Sequence, residues 1–348
     1  MNATGDGITR IGVIGASGFA GSEVLRLASA HPNLELAWAT GDSQAGVPVR
    51  DLYPSLSAAV GDMRFVPYNP ELAEEVDAVV LALPHGMSQD LVARLDGRVR
   101  WIIDLAADFR LRDAADYDRW YHAPHHRPDL LARFTYGLPE LYRDEIAGAS
   151  LVAAPGCYPT AAILALAPLR SAGVISDRGI VVDAASGASG AGRPPKPATT
   201  FCTVDEDYTA YGLLDHRHTP EIEQHIDATV LFTPHLAPMS RGILTTCYAV
   251  PTPGVTGLSS ESLLDLMADF YRGRRFVVVD ERSPSTKAAQ GSNCAHLTVR
   301  YDQRTHTVIS IAAIDNLVKG TAGQALQCLN LMVGLDETTG LPLVGLTP

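Results

Sequence analysis

Apolar runs of strand length alternate with helical patterns through the first 106 residues, and this alternation constrains the fold more than any other feature of the chain. Ile11-Gly12-Val13-Ile14 is a short apolar strand, Ser22 to Ala30 carries a helical pattern, and Leu34 to Thr40 is a second strand. Asp77 to Leu83 and Trp101 to Leu105 are further apolar runs, with a helix expected over Ser88 to Leu95 between them. Parallel strands need crossover connections, so the pattern predicts an α/β domain whose parallel sheet is covered on both faces.

Between the first strand and the first helix stands Gly15-Ala16-Ser17-Gly18-Phe19-Ala20-Gly21. Glycines at this spacing let a backbone approach a pyrophosphate, whose charge the N–H groups of a helix N-terminus can meet. Such turns are common by chance, and a tight turn without a ligand is the alternative. The setting, after a strand and at the mouth of a helix, makes Gly15, Ala16, Ser17, Gly18, Phe19 and Ala20 candidate nucleotide-binding residues. At the end of the second strand the chain reads Thr40-Gly41-Asp42-Ser43-Gln44, where the hydroxyls of Thr40 and Ser43 could accept a 2′-phosphate and Asp42, pointed inward, would repel one. The chemistry of this segment leaves NAD and NADP both open.

Beyond residue 156 the style changes. A helix over Thr160 to Ser171 precedes strand-like runs at Ile180 to Ala184, Val230 to Thr233, Ile243 to Val250, Phe276 to Asp280, His296 to Tyr301 and Thr307 to Ile314, interrupted by a helical pattern at Glu261 to Tyr271. These predict a second, α+β domain with a mixed or antiparallel sheet. A helix-like segment, Gly320 to Leu331, follows.

Cys157 lies in Ala154-Pro155-Gly156-Cys157-Tyr158-Pro159-Thr160, just ahead of the apolar helix, with Pro159 suited to its first turn. A helix N-terminus favours the thiolate, the reactive form of cysteine, and Gly156 leaves room beside the sulfur. Burial as a small apolar side chain is the common fate of cysteine, and it is the expected one for Cys202, Cys247, Cys294 and Cys328, which lack such a setting. A base is needed near the thiol. His216-Arg217-His218-Thr219-Pro220-Glu221-Ile222 is the best candidate, because its histidines alternate with an arginine before a helix start at Pro220. His216 and His218 could instead be a metal pair, but no further ligands are evident, and no metal is expected. His122, His125 and His126 sit in a Tyr- and Pro-rich loop and are expected to be solvated. Ser186 to Arg193, including Ser186, Gly187 and Gly190, could wrap backbone N–H groups around a phosphate, with Arg110, Arg217 and Arg241 supplying charge.

Composition narrows the partners. The 348 residues are 46% apolar, enough for two cores, and the balance of 27 basic and 39 acidic residues, net −12, argues against a nucleic-acid role. The five cysteines form no Cys-x-x-Cys pair, so reduced thiols are expected. No apolar run spans a bilayer, and Met1 to Gly7 lacks the basic and apolar regions of a signal peptide, so no membrane association and a cytoplasmic location are the expectations.

Taken together, these residues resemble the N-acetyl-gamma-glutamyl-phosphate reductase family of arginine biosynthesis, related to aspartate-semialdehyde dehydrogenase. The resemblance spans nearly the whole chain. It rests on Gly15 to Gly21, Ala82-Leu83-Pro84-His85-Gly86, Asp104 to Arg110, Tyr136-Gly137-Leu138-Pro139-Glu140, Pro155 to Thr160, Ser186 to Arg193, His216 to Ile222 and Asp315 to Gly320. It implies a Rossmann nucleotide-binding domain over 1–156 and 317–348, a catalytic and dimerisation domain over 157–316, and a homodimer or homotetramer. It also implies NADP(H), with Pro84 and Gly190 among the cofactor-binding residues, Asn316 near the nicotinamide, and Cys157 as the nucleophile that attacks a small acyl phosphate and releases phosphate. His218 is favoured over His216 as acid and base, and Arg110, Ser186, Gly187, His216, Arg217 and Arg241 are implied at the substrate. Rival substrates are aminoadipyl phosphate and the substrate of aspartate-semialdehyde dehydrogenase. A Cys-His hydrolase or acyltransferase would use the same thiol without a nucleotide, and a non-catalytic Rossmann regulator would have no need of a poised thiol.

Overall fold

The alternating pattern of the first domain folds into seven strands: β1 (Thr9–Ile14), β2 (Leu34–Thr40), β3 (Phe65–Val66), β4 (Ala78–Leu81), β5 (Trp101–Asp104), β6 (Thr135–Tyr136) and β7 (Leu151–Ala153). The computed structural model describes residues 7–346 of the chain. Every pairing in this sheet is parallel, in the order β3-β2-β1-β4-β5-β7-β6. The order turns back between β1 and β4, the kind of point outside which open α/β sheets hold ligands. Its central strands are buried on both faces, as parallel strands between helix layers must be. One layer packs Trp38, Val79, Leu81, Ile102, Phe109, Leu111 and Tyr117 into a continuous apolar cluster.

A second seven-stranded sheet comprises β8 (Ile180–Ser186), β9 (Thr209–Ala210), β10 (Val230–Leu236), β11 (Ile243–Ala249), β12 (Val277–Val279), β13 (Ala295–Asp302) and β14 (Thr307–Ile314), in the order β12-β13-β14-β11-β8-β10-β9. It is mixed, as expected: β12 with β13 and β8 with β10 run parallel, the other pairs antiparallel. Burial alternates along β8 and β11, so one face is covered while Val181, Leu244, Thr246 and Tyr248 lie on the other. The cover is the helix Cys157–Ser171, which is buried at every position from Tyr158 to Leu169 and packs on β11, β13 and β14. Pro168 within it has no N–H, which leaves the Leu164 carbonyl without its helical donor. The Tyr271 hydroxyl donates to that carbonyl at 2.7 Å instead.

By contacts the chain divides into one unit running to Pro155 that takes back Thr321–Leu341, and a second unit of Gly156–Gly320 with the residues from Pro342 onward. The C-terminal segment therefore splits. The helix Gly323–Met332 packs in the first unit on the helices Phe19–Ser29 and Pro139–Ala147. Residues 342–346 do not stay with it, because the Asn293 N–H donates to the Pro342 carbonyl and the Leu346 N–H to the Gln290 carbonyl, both in the second unit. Among the described residues, no helix is long and apolar enough to cross a membrane.

Candidate active site

In the second unit, the helix that opens at Cys157 has Gly156 as its N-cap and no side chain capping it. The N–H groups of its first turn therefore lie beside the thiol without a capping partner from that residue, which favours negative charge there. Gly156 is held from two sides: its N–H donates to Glu221 Oε1 at 2.7 Å, and its carbonyl accepts the Thr160 hydroxyl at 2.9 Å. The His218 imidazole packs directly on Gly156, since a Cβ built there would lie 2.5 Å from Nε2. Any larger residue would push the ring off the thiol's neighbour. On the other flank Gly320 meets Cys157, with a built Cβ only 2.8 Å from the cysteine Cβ. Gly320 lies in a π-helical turn, Val318–Ala322, a rare geometry often found at functional sites. Cys157 is half-buried, Cys247, Cys294 and Cys328 are buried, Cys202 is exposed on a one-turn helix, and none of the five is in a disulfide. Burial pushes the Cys247 thiol far above its usual range, so it is an inert core side chain.

The two histidines of the His-Arg-His segment differ sharply. His216 is enclosed by the rings of Tyr158, Tyr211, Phe232 and His218, with centroids 4.8 to 5.8 Å away. Burial, seconded by the Arg217 charge, pushes it down to about 4, so it is neutral at physiological pH. Its Nδ1 accepts the His218 N–H at 3.1 Å, so it braces the backbone of its neighbour. Burial also raises the Tyr211 hydroxyl to about 12 and the Tyr158 hydroxyl higher still, which keeps both protonated. Among the described residues, no three His, Cys, Asp or Glu side chains are grouped as they would be around a metal ion.

The Ser186 to Arg193 loop corrects its expected role. Its amides are already committed: the N–H of Gly187 donates to the Gly242 carbonyl, Ala188 to Met239, Ser189 to Ser240, Gly190 to Gly187 and Gly192 to Ser189. Such a loop does not wrap a phosphate in a ring of open N–H groups. It instead forms a rigid cluster with the 239–242 segment and Asn316. Asn316 Oδ1 accepts the Gly242 N–H at 2.8 Å and its Nδ2 donates to Ser189 Oγ at 3.0 Å. Gly187 and Gly190 admit close neighbours, since a Cβ on the first would lie 2.8 Å from the Arg241 nitrogen and on the second 2.8 Å from Ser186 Oγ. Half-buried Arg241 pairs with Asp315 at 3.3 Å, whereas Arg217 is exposed.

In the first unit, the Gly15 turn has the form that a dinucleotide requires. Gly15 has φ +79°, its N–H donates to Thr40 Oγ1 at 3.2 Å, and an added Cβ would overlap the Ala82 carbonyl. Thr40 is thus buried and holds the turn itself, while Ser43 and Asp42 are exposed. Gly18 caps the helix Phe19–Ser29 with no side-chain bond, and a Cβ there would meet nothing nearer than the Gly15 carbonyl oxygen at 3.6 Å. The space over the helix N-terminus is open for a phosphate to approach the backbone, which is the fit a pyrophosphate needs.

Two residues of this unit, Arg110 and His125, are more enclosed than their sequence setting suggests. Arg110 is buried, and its Nε and Nη2 donate at 2.8 Å to the Ala154 and Leu105 carbonyls, so those two nitrogens fix strand ends. His125 is buried as well, with Nε2–H donating to the Asp108 carbonyl at 2.6 Å, whereas His122 and His126 are exposed as expected. A carboxyl pair that periodicity had not flagged lies beside them. Asp104 accepts the Ser88 hydroxyl at 2.7 Å on Oδ1, while its Oδ2 is buried without a hydrogen-bond partner. Burial and the nearby Asp108 charge raise it to about 7. Burial also pulls Asp108 upward, but His85 and the Gly86 and Ser88 amides outweigh it and hold that carboxyl below its ordinary range.

Comparison with known proteins adds the family. Residues 10–149 match the model of the semialdehyde dehydrogenase NAD binding domain, and residues 157–316 that of the semialdehyde dehydrogenase dimerisation domain. The chain is 46% identical to N-acetyl-gamma-glutamyl-phosphate reductases of Desulforudis audaxviator and Citrifermentans bemidjiense, each alignment covering 97% of this chain and 99% of the relative. Its fold is similar to the aspartate semialdehyde dehydrogenase of Candida albicans solved with NADP, with a TM-score of 0.67 at 13% identity over 93% of this chain and 98% of that one.

Proposed function

Because the chain belongs to the N-acetyl-gamma-glutamyl-phosphate reductase family of semialdehyde dehydrogenases, we propose that it reduces N-acetyl-L-glutamyl 5-phosphate to N-acetyl-L-glutamate 5-semialdehyde and phosphate, an NADPH-dependent step of arginine biosynthesis. The observation that carries the residue assignment is the contact of the His218 ring with Gly156, beside an uncapped helix N-terminus that bears Cys157. In the proposed mechanism the Cys157 thiolate attacks the acyl carbon. A sulfur–carbon bond forms, the bond from carbon to the phosphate oxygen breaks, phosphate leaves, and a thioester remains on Cys157. N–H groups at the helix start steady the oxyanion of this step. NADPH, when bound, supplies the hydride that makes the thioester a thiohemiacetal. His218 protonates the oxyanion of that adduct and takes the proton back as the aldehyde forms and the thiolate departs.

His216, neutral and enclosed, supports His218 by bracing its backbone, which is why His218 holds the acid and base role. Gly15 to Ala20 would hold the pyrophosphate through the N–H groups of Ser17, Phe19 and Ala20, since those of Gly15, Ala16 and Gly18 are given to Thr40 and to the Gly15 carbonyl, with Ser43 at the ribose and Pro84 on the neighbouring loop. Arg217 and Arg241 are the candidates for substrate carboxylate and phosphate, and Arg110 acts as a scaffold residue. The open face of the second sheet, with Leu244, Tyr248 and Leu231 on it, supports a homodimer or homotetramer. The cytoplasm, where thiols stay reduced, suits five cysteines that form no disulfide. The test is phosphate- and NADP-dependent oxidation of N-acetylglutamate semialdehyde beside the aspartate and aminoadipate analogues. The expected result is a clear preference for the first, and equal or better turnover of another substrate would overturn the assignment.

A further inference from the structure

The chemistry at Cys157 makes no use of one buried, multiply bonded carboxylate of the first unit. Asp108 accepts the Gly86 N–H at 2.6 Å and the Ser88 N–H at 2.8 Å, and lies 2.5 Å from His85 Nδ1. The loop it gathers leaves the C-terminal end of β4, the strand that pairs with β1 where the sheet order turns back. Gly15 abuts that loop's start, since an added Cβ would overlap the Ala82 carbonyl and lie 3.2 Å from Leu83 Cδ2. The loop is therefore a wall of the crevice in which such sheets hold ligands. Asp108 is fully buried, yet His85 keeps 18% of its side-chain surface, with Tyr121 tilted against the ring at 4.3 Å. A carboxylate facing Nδ1 fixes the ring with Nδ1–H toward it and leaves Nε2 for another partner, as in the carboxylate–histidine arrangements that orient a binding imidazole.

We propose that Asp108 and His85 act as a couple at the dinucleotide site: Asp108 positions the loop and the ring, and His85 Nε2 accepts a hydrogen bond from a ribose hydroxyl of the cofactor. This rests on the NADPH-dependent function proposed above. Ser88 ties the second carboxyl, Asp104, to the same loop, so the loop is fastened at both its turn and its helix start. Its helix, Ser88–Leu95, then begins from a fixed point.

The experiment is direct titration of NADPH by fluorescence into the parent protein, His85→Ala, Asp108→Asn and the double variant, with the rate of Cys157 alkylation measured on each. The expected result is a Kd raised at least about tenfold by either single change, with the double variant little worse than the poorer single, because both remove one contact. Alkylation of Cys157 should keep the parent's rate. A parent-like Kd for His85→Ala, or losses that multiply in the double variant, would overturn the couple. His85→Ala decides alone if Asp108→Asn fails to fold, since no loop amide depends on the imidazole. A parent protein that takes up no NADPH would overturn the functional reading and this inference together. Binding by the parent with an indifferent His85 overturns only the inference.

Discussion

Two strand-to-helix turns carry the site residues, and their glycines do opposite things. At Gly18 the missing side chain leaves open space, since an added Cβ would meet only the Gly15 carbonyl oxygen, at 3.6 Å. At Gly156 the missing side chain is replaced by the protein's own His218 ring, 2.5 Å from where a Cβ would stand. Both helices begin without a side-chain cap. An uncapped N-terminus is thus not a site by itself; what occupies the volume that glycine vacates decides whether the turn receives a ligand or arms a nucleophile.

The largest effect should come from Cys157→Ser, expected to lower the reductase rate by about 10⁴-fold or more while leaving the NADPH Kd of the other turn unchanged, as read by steady-state assay and titration. Next, His218→Asn should lower kcat by about 10²- to 10⁴-fold and flatten its pH profile. His216→Asn should cost less, because His216 is already neutral at physiological pH; a reversed ranking would move the acid and base role to His216. Gly156→Ala should lower kcat by about 10²-fold by displacing the imidazole. The matching Gly18→Ala change should instead raise the KM for NADPH by about tenfold and leave kcat within about threefold, because the added methyl enters the space that the pyrophosphate takes. Comparable losses of kcat from the two alanines would erase the distinction between the turns.

The smallest effect concerns stability. Asp104 holds its proton in the folded state up to about 7, against 3.8 in an ordinary carboxyl. Between those values the folded protein binds the extra proton, so stability falls as pH rises through the interval and the loss is complete above about 7. Asp104→Asn, which keeps an acceptor for the Ser88 hydroxyl, should abolish that slope and gain on the order of 1 kcal/mol at pH 8, measured as a shift in melting temperature across pH 4 to 8. A slope that survives in the variant would place the titrating group elsewhere.

Much of the fold was legible in the sequence because its strands are long enough to show a period. Leu34 to Thr40 was read at the bounds the structure gives β2, and the parallel and mixed sheets followed from the change of style after residue 156. Strands of two or three residues, such as Phe65–Val66, Thr135–Tyr136 and Leu151–Ala153, carry no readable alternation and emerged only from their pairing. At the thiol, sequence located the helix mouth and the His-Arg-His segment. Glu221 stood in that same segment and went unused, because nothing local says that its carboxylate meets an amide 65 residues earlier in the chain. Long-range bonding was equally out of sight for Arg110, whose guanidinium reaches the Ala154 carbonyl, and for the Ser186 loop, three of whose amides are taken by the 239–242 segment. Charge and glycine content suggest anion binding wherever they occur; only the bonding partners say whether the donors are still available.

The central claim is that Cys157 is acylated by the substrate. Rapid-quench mass spectrometry of the protein mixed with N-acetylglutamyl phosphate in the absence of NADPH tests it most directly. The account predicts an N-acetylglutamyl group on the peptide that contains Cys157, formed together with about one equivalent of phosphate per subunit. Phosphate release with no acyl group on that peptide, or an acyl group that persists elsewhere in Cys157→Ser, would contradict it.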